Sequence, residues 1–378
     1  MADEKHKNKV NFWRTMPRPF FVLAPMANVT DSVFRRLFAK YGRPDVTWTE
    51  FVSADGLMSP GRERLLIDLE YSESERPIVA QLFTGHPDAM RGASALAASL
   101  GFDGVDINMG CPDRSVEKQG GGAAMMKDLK NAIAVIEAAR EGASRRQITK
   151  EIPVSIKIRI GYNKPQLEEW IGGLLALRPH LPALTVHLRT RKEMSDVPAH
   201  WEMMPEIVRM RDDIQADIDP MDRTLIIGNG DVGSLDDARV KAELSGCDGV
   251  MVGRGIFGTP WFFEKLTKAS KLRKTAVTSD KGVKAGVTRS LPASLDADQK
   301  SPEERMKILL EHTKLFEKTY GEITRGKSTR PHLKNFATMK KHFKAYISGW
   351  DGAKDLRAKL METESVREVE NIIKNVLF

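Results

Sequence analysis

The stretch from Asp103 to Ala124, DGVDINMGCPDRSVEKQGGGAA, holds the residues most able to do chemistry. Gly104-Val105-Asp106-Ile107 reads as a short buried strand, and Asn108-Met109-Gly110-Cys111-Pro112 turns out of it at once. A glycine run, Gly120 to Gly122, then leads into an alanine-rich helix. A thiol and a carboxamide thus stand just past the carboxyl end of a strand, where α/β folds place their reactive groups. A free Cys can equally be a small buried hydrophobe. The company that Cys111 keeps elsewhere in the chain decides between the two readings.

That company sits at the ends of other apolar runs. Pro25-Met26-Ala27, Glu50, Gln81, Lys157 with Arg159, His187, Asn229-Gly230-Asp231 and Gly253-Arg254 each follow or close such a run. Glycines allow backbone N–H groups to approach a phosphate, and Arg254 brings a fixed fork of donors. The loops at 228–231 and 253–255 therefore suit a phosphate, although glycines also simply make tight turns. Neither loop matches a Walker motif, and no GxGxxG follows a strand, so a mononucleotide or sugar phosphate is expected rather than a Rossmann-bound dinucleotide. Lys157 suits a Schiff base, a phosphate or an anionic ring, or else a rim position with its stem against apolar surface. Gln81 and Asn108 offer a donor and an acceptor each, suited to the edge of a heterocycle. No HExxH occurs, Cys111 has no second Cys nearby and the eight His are scattered, so no metal is expected. Cys247 precedes a strand, at the end away from the mouth, and reads as structural.

The elements that position these groups alternate regularly. Strands are expected at 20–24, 46–52, 78–82, 104–107, 153–159, 183–187, 224–228 and 248–252, with helical patterns between them. One expected helix runs from about Ala123 to Ala143. Eight βα repeats within residues 20–267 predict a (β/α)8 TIM barrel, with a doubly wound open sheet as the alternative. Residues 1–19 read as an N-terminal segment and 268–301 as a basic linker or insertion without periodicity. Helical periodicity returns over 302–378, near Arg305–Tyr320, Leu333–Ile347 and Val366–Leu377, which predicts a small all-helical C-terminal domain.

Charge is unevenly placed along the 378 residues. The formal net charge is +8, yet residues 264–301 carry nine Lys and Arg against four Asp and Glu, and residues 302–378 carry sixteen against eleven. A basic appendage on a nearly neutral body suggests a polyanionic partner, unless it is only a solvated helical face. No apolar run is long enough to span a membrane, the first residues lack a secretory h-region, and two Cys imply no disulfide framework. A cytoplasmic protein is expected.

Taken jointly and in order, LAPMANVTDSVFRRL, QLFTG, DINMGCPDRSV, SIKIRIGY, TVHLRTR, IIGNGD and GVMVGRG resemble the tRNA-dihydrouridine synthases. The resemblance spans about Phe20 to Phe263, and the C-terminal helices are similar to that family's tRNA-binding domain. It implies an FMN-dependent barrel that reduces the C5–C6 double bond of uridine in tRNA, with NADPH as electron source. It further implies that Pro25, Met26, Ala27, Gln81, Lys157, His187, Asn229, Gly230, Asp231, Gly253 and Arg254 bind the cofactor. Asn108 would orient the uracil, with Arg159 and Arg191 also on the substrate side, and Cys111 would be the proton donor. An ordinary thiol is mostly protonated at neutral pH, which suits that role. The chain departs from the family at Leu188 and at Glu193-Met194-Ser195-Asp196-Val197, which leaves the target uridine open. The oligomeric state is open too, with a monomer favoured. Two rivals stand beside this reading: an FMN barrel acting on a free pyrimidine, and a catalytically inactive RNA-binding barrel.

Overall fold

The computed structural model describes residues 11–144, 151–266, 300–321, 323–325, 328–330 and 334–377. Most of the expected linker, 268–301, lies outside the described residues, as does the first part of segment 1–19.

Eight parallel strands close on themselves. Their ranges are β1 (Phe20–Leu23), β2 (Thr47–Trp48) continued by β3 (Val52–Ser53), β4 (Ile78–Phe83), β5 (Gly104–Met109), β6 (Val154–Arg159), β7 (Ala183–His187), β8 (Leu225–Asn229) and β9 (Gly249–Val252). Each pairs with its neighbour in parallel from β4 round to β9, and β9 pairs with β1. The ring is shut by two bonds from the residues before β2: the Asp45 N–H donates to Phe21 C=O at 2.9 Å and Leu23 N–H donates to Val46 C=O at 3.3 Å. This is the (β/α)8 barrel expected of the alternation, not an open sheet.

The expected strand at 46–52 is interrupted. Thr49 Oγ1 accepts the Gln81 N–H at 3.0 Å and donates to Glu50 C=O at 2.8 Å, so a side chain replaces a rung of the ladder. Between β2 and β3 the chain steps aside before pairing with β4 again. The helix expected from Ala123 begins instead as a 3-10 segment, Gly122–Lys127, and the α-helix starts at Leu129. Asp128 makes the break by accepting the Asn131 N–H, a capping bond that satisfies a helix-start donor.

The floor of the barrel is apolar. Phe20, Val22, Trp48, Val79, Leu225, Ile227 and Met251 pack together there, and Trp13 packs with them. Trp13 comes from a 3-10 turn at Phe12–Thr15, so the residues before β1 plug the barrel's lower end. The buried Cys247 lies just before β9, and its thiol donates to Gly249 C=O. Among the described residues, no helix is long and apolar enough to cross a membrane.

The chain divides into two compact units, and the division does not follow the sequence segments. Among the described residues, the barrel unit comprises 11–27 and 44–253, and the second comprises 28–43 and those from 254 onward. The helix that follows β1, α1 (Ser32–Tyr41), thus clusters with the C-terminal helices. Those run from 302 to 320, 338 to 346, 353 to 361 and 366 to 377. The helix 302–320 opens with a capping box of Ser301 and Glu304 and with Pro302 at its first position. Phe34 of α1 stacks on His312 and tilts against His342, while Lys40 and Tyr41 both bond to Glu311. A two-stranded antiparallel ribbon, β10 (Ile323–Arg325) with β11 (Ser328–Arg330), was not foreseen.

Candidate active site

Register places the expected residues in layers at the carboxyl ends of the strands. Gln81 is level with Asp106 and Asp106 with Ser155. Two residues further along, Asn108 is level with Lys157 and Lys157 with Thr185. Above these, Arg159 is level with His187 and His187 with Asn229. Residues two apart on a strand share a face, so the sheet itself gathers the amides, the lysine and the imidazole at one mouth.

Hydrogen bonds join the first two layers. Ser155 Oγ donates to Asp106 Oδ1 at 2.6 Å, and Gln81 Nε2 donates to Asp106 Oδ2 at 2.7 Å. Asn108 Nδ2 donates to Gln81 Oε1 at 3.1 Å. Asn108 Oδ1 accepts the N–H groups of Gly110, at 3.1 Å, and Cys111, at 2.9 Å. The Cys111 loop is held from its other side as well. Ala123 N–H donates to Cys111 C=O at 2.8 Å, and Gly122 adopts φ +58° where a Cβ would lie 2.6 Å from that same oxygen. Glycine is required there on both counts.

Burial sets the electrostatics. It lowers Lys157 to about 8, with Arg159 adding to the effect and Asp106 opposing it. It pushes the Asp106 carboxyl up to about 6 against the bonds from Ser155 and Gln81. The Cys111 thiol is pushed up, chiefly by burial, and is therefore a protonated thiol at neutral pH. Lys157 is deep in the protein yet keeps partial exposure, as does Cys111, so both are within reach of a small molecule. Among the described residues, no group of three His, Cys, Asp or Glu could hold a metal ion.

At the ends of β8 and β9 the backbone is specialised. Gly230 has φ +132° and Asp231 φ 45°. The Asp231 carboxylate accepts from Arg189 Nη2 and from the Ala199 N–H at 2.8 Å, which ties the loop after β7 to the loop after β8. Asn229 Nδ2 donates to Met251 C=O at 2.9 Å. A Cβ on Gly253 would meet nothing nearer than Ala24 Cβ at 3.9 Å, which leaves a cradle open above β9.

The sequence model of the dihydrouridine synthase (Dus) family matches residues 22–377. The chain belongs to the dihydrouridine synthase family. The probable tRNA-dihydrouridine synthase 2 of Bacillus subtilis (strain 168) is 36% identical over 365 residues, covering 96% of this chain and 95% of its own. A probable tRNA-dihydrouridine synthase of Staphylococcus epidermidis is 34% identical over 367 residues, 97% of this chain and 96% of its own. Among solved structures, a 2-naphthoyl-CoA reductase in complex with 2-naphthoyl-CoA is 10% identical with a TM-score of 0.46, covering 66% of this chain and 50% of its own.

In this dihydrouridine synthase, Gln81, Asn108, Cys111, Lys157, His187, Asn229 and Gly230 come together around the strand ends, with Gly253 at the end of β9. Pro25 is buried, Met26 half-buried and Ala27 exposed after β1. Arg254 is exposed and starts the second compact unit. The other two expected cations are engaged by the protein itself. Arg159 is buried and donates to the carbonyls of Gly110, Thr190 and Met194. Arg191 pairs with Glu117 at 2.7 Å. Together they fasten the loop after β7 to the Cys111 loop. Asp106, Ser155 and Arg189 were missed. Asp106 and Ser155 had a signal, because each lies two residues before an expected site residue on the same strand face.

Proposed function

We propose that this chain is a flavin-dependent tRNA-dihydrouridine synthase that reduces the C5–C6 double bond of uridine in tRNA, with FMN as cofactor and NADPH as electron source. The observation that carries the reading is the joint placement of Lys157, Gln81 and Asn108 beside a protonated thiol on a clamped loop. The residues present fit FMN. Lys157 keeps partial exposure at the mouth, while Gln81 is wholly buried and holds Asn108 in place from behind. The special backbone at Gly230 and the open cradle at Gly253 suit a phosphate, with His187 as a polar partner.

When bound, FMN supplies the hydride. Lys157, as an ammonium, would favour negative charge on a bound ring. Asn108 offers its remaining N–H to a uracil carbonyl and thereby fixes the base relative to Cys111. As negative charge develops at C5, the Cys111 thiol delivers its proton there, and no activation to thiolate is needed. The target uridine must leave its stack to enter the mouth, and the basic C-terminal helices hold the tRNA backbone meanwhile.

The test is spectroscopic. Purified protein, or protein supplied with FMN, is expected to show a flavin spectrum that bleaches with NADPH and returns on adding unmodified tRNA without oxygen. Return with a free pyrimidine but not with tRNA would instead favour a pyrimidine oxidoreductase, and no flavin binding would favour an inactive RNA-binding barrel. Cys111→Ala is expected to retain flavin and tRNA while slowing single-turnover dihydrouridine formation by about 10²-fold or more. An unchanged rate would remove Cys111 as the proton donor.

A further inference from the structure

We infer that Asp106 is a positioning residue: through Gln81 and Asn108, its carboxylate sets the direction of a side-chain hydrogen-bond chain that clamps the Cys111 loop. The importance of that loop rests on the function proposed above, but the chain of bonds does not.

The chain has a fixed polarity because its two ends are chemically one-sided. At one end, the backbone N–H groups of Gly110 and Cys111 can only donate. At the other, an ionised Asp106 can only accept, and it does so from Ser155 and Gln81. Two amides lie between, and each can be turned either way. Gln81 must give its NH2 to Asp106, so its oxygen faces Asn108. Asn108 must then give its NH2 to Gln81, so its oxygen faces the loop. Turning either amide would set two donors or two acceptors against each other. Asp106 and Gln81 are wholly inaccessible and Asn108 is 6% exposed, so water offers little alternative to a mismatched pair.

The loop needs this anchor. Arg159 holds Gly110 by its carbonyl and Ala123 holds Cys111 by its carbonyl, but the N–H groups of both residues are held by Asn108. Asn replacing Asp106 is nearly isosteric, yet its amide can donate or accept, so the direction is no longer imposed. Adding Gln81→Glu re-imposes it one step along: Glu at 81 accepts from Asn at 106 and from Asn108, whose oxygen again faces the loop.

The experiment uses the full chain without tRNA or added flavin. It measures amide hydrogen exchange at Gly110 and Cys111, together with the rate of Cys111 alkylation by iodoacetamide. Asp106→Asn is expected to speed exchange at these two amides by about tenfold, the loss of roughly one buried hydrogen bond, and to speed alkylation in parallel. The double variant Asp106→Asn, Gln81→Glu is expected to return both towards wild type. Wild-type exchange in the single variant, or a double variant as fast as the single, would overturn the inference. Should Asp106→Asn fail to fold, the unaltered protein still decides the matter. The side-chain amide resonances of Gln81 and Asn108 are expected to move together when Asp106, which Lys157 also faces, takes up a proton as pH falls, and an Asn108 amide that does not follow Gln81 would overturn it. None of these readouts involves cofactor or tRNA, so failure here and failure of the proposed function are separable.

Discussion

If the proposed reaction holds, Lys157 is expected to carry more of its pH dependence than Cys111. Burial has moved its ammonium down to about 8, close to working pH, whereas burial moves the thiol away from it. The sign follows directly. Below about 8 the side chain is charged and can favour an anionic ring, and above it the side chain is neutral and cannot. Turnover is therefore expected to fall as pH rises through about 8, and Lys157→Met is expected to give a slow enzyme without that limb. A pH–rate profile whose alkaline limb survives in Lys157→Met would assign it to another group. The residue types at this scale were legible because a thiol, amides and a lysine are uncommon at strand ends. Their partners were not. That Asp106 bonds to Gln81, or that Arg159 and Arg191 serve the loops around Cys111, depends on which strands lie side by side and on loop paths that no local pattern encodes.

At the scale of elements, the eightfold alternation was legible because each strand is a short apolar run with a break at its end. Failures came where side chains overrule pattern. Thr49 replaces a ladder bond, and Asp128 starts a helix inside an apolar stretch, although an Asp immediately before Leu129 was itself a readable N-cap signal. The ribbon ITR–STR lacks the alternating apolar residues that would announce it. The helices of the second unit hold a feature with a measurable consequence. His312 and His342 are wholly buried, their ring centroids are 4.6 Å apart, and none of their ring nitrogens has a hydrogen-bond partner among the described residues. Burial lowers His312 to about 3 and His342 well below its ordinary value, with His312 and Lys341 adding to the latter. In the unfolded chain both take up protons below about pH 6.5, while in the folded unit they stay neutral. Stability is thus expected to fall as pH drops below about 6.5, by up to roughly 1.4 kcal/mol per pH unit for each histidine. Urea unfolding of the full chain between pH 7.5 and 5 checks this. His312→Phe is expected to flatten the loss, and an unaltered slope would mean that carboxylates elsewhere govern acid unfolding.

For the whole molecule, the question is what the charge asymmetry does. The chain before residue 264 is nearly neutral, and the excess of Lys and Arg lies beyond it. A barrel that handled only a small heterocycle would gain little from such an appendage, whereas a nucleic-acid partner is held through its phosphates, with a strength that depends on released counterions. Lys344, Lys354 and Lys359 are exposed on two of the C-terminal helices and belong to the second unit. If they neutralise tRNA phosphates, replacing all three with Gln is expected to weaken tRNA binding and to reduce the slope of log K against log salt by about 1 for each phosphate left without its lysine. The flavin spectrum and its bleaching by NADPH are expected to stay as in the wild type. An unchanged salt slope would place the tRNA site away from these two helices, while a changed slope together with loss of the flavin would show that the substitutions act through folding and not through the phosphates.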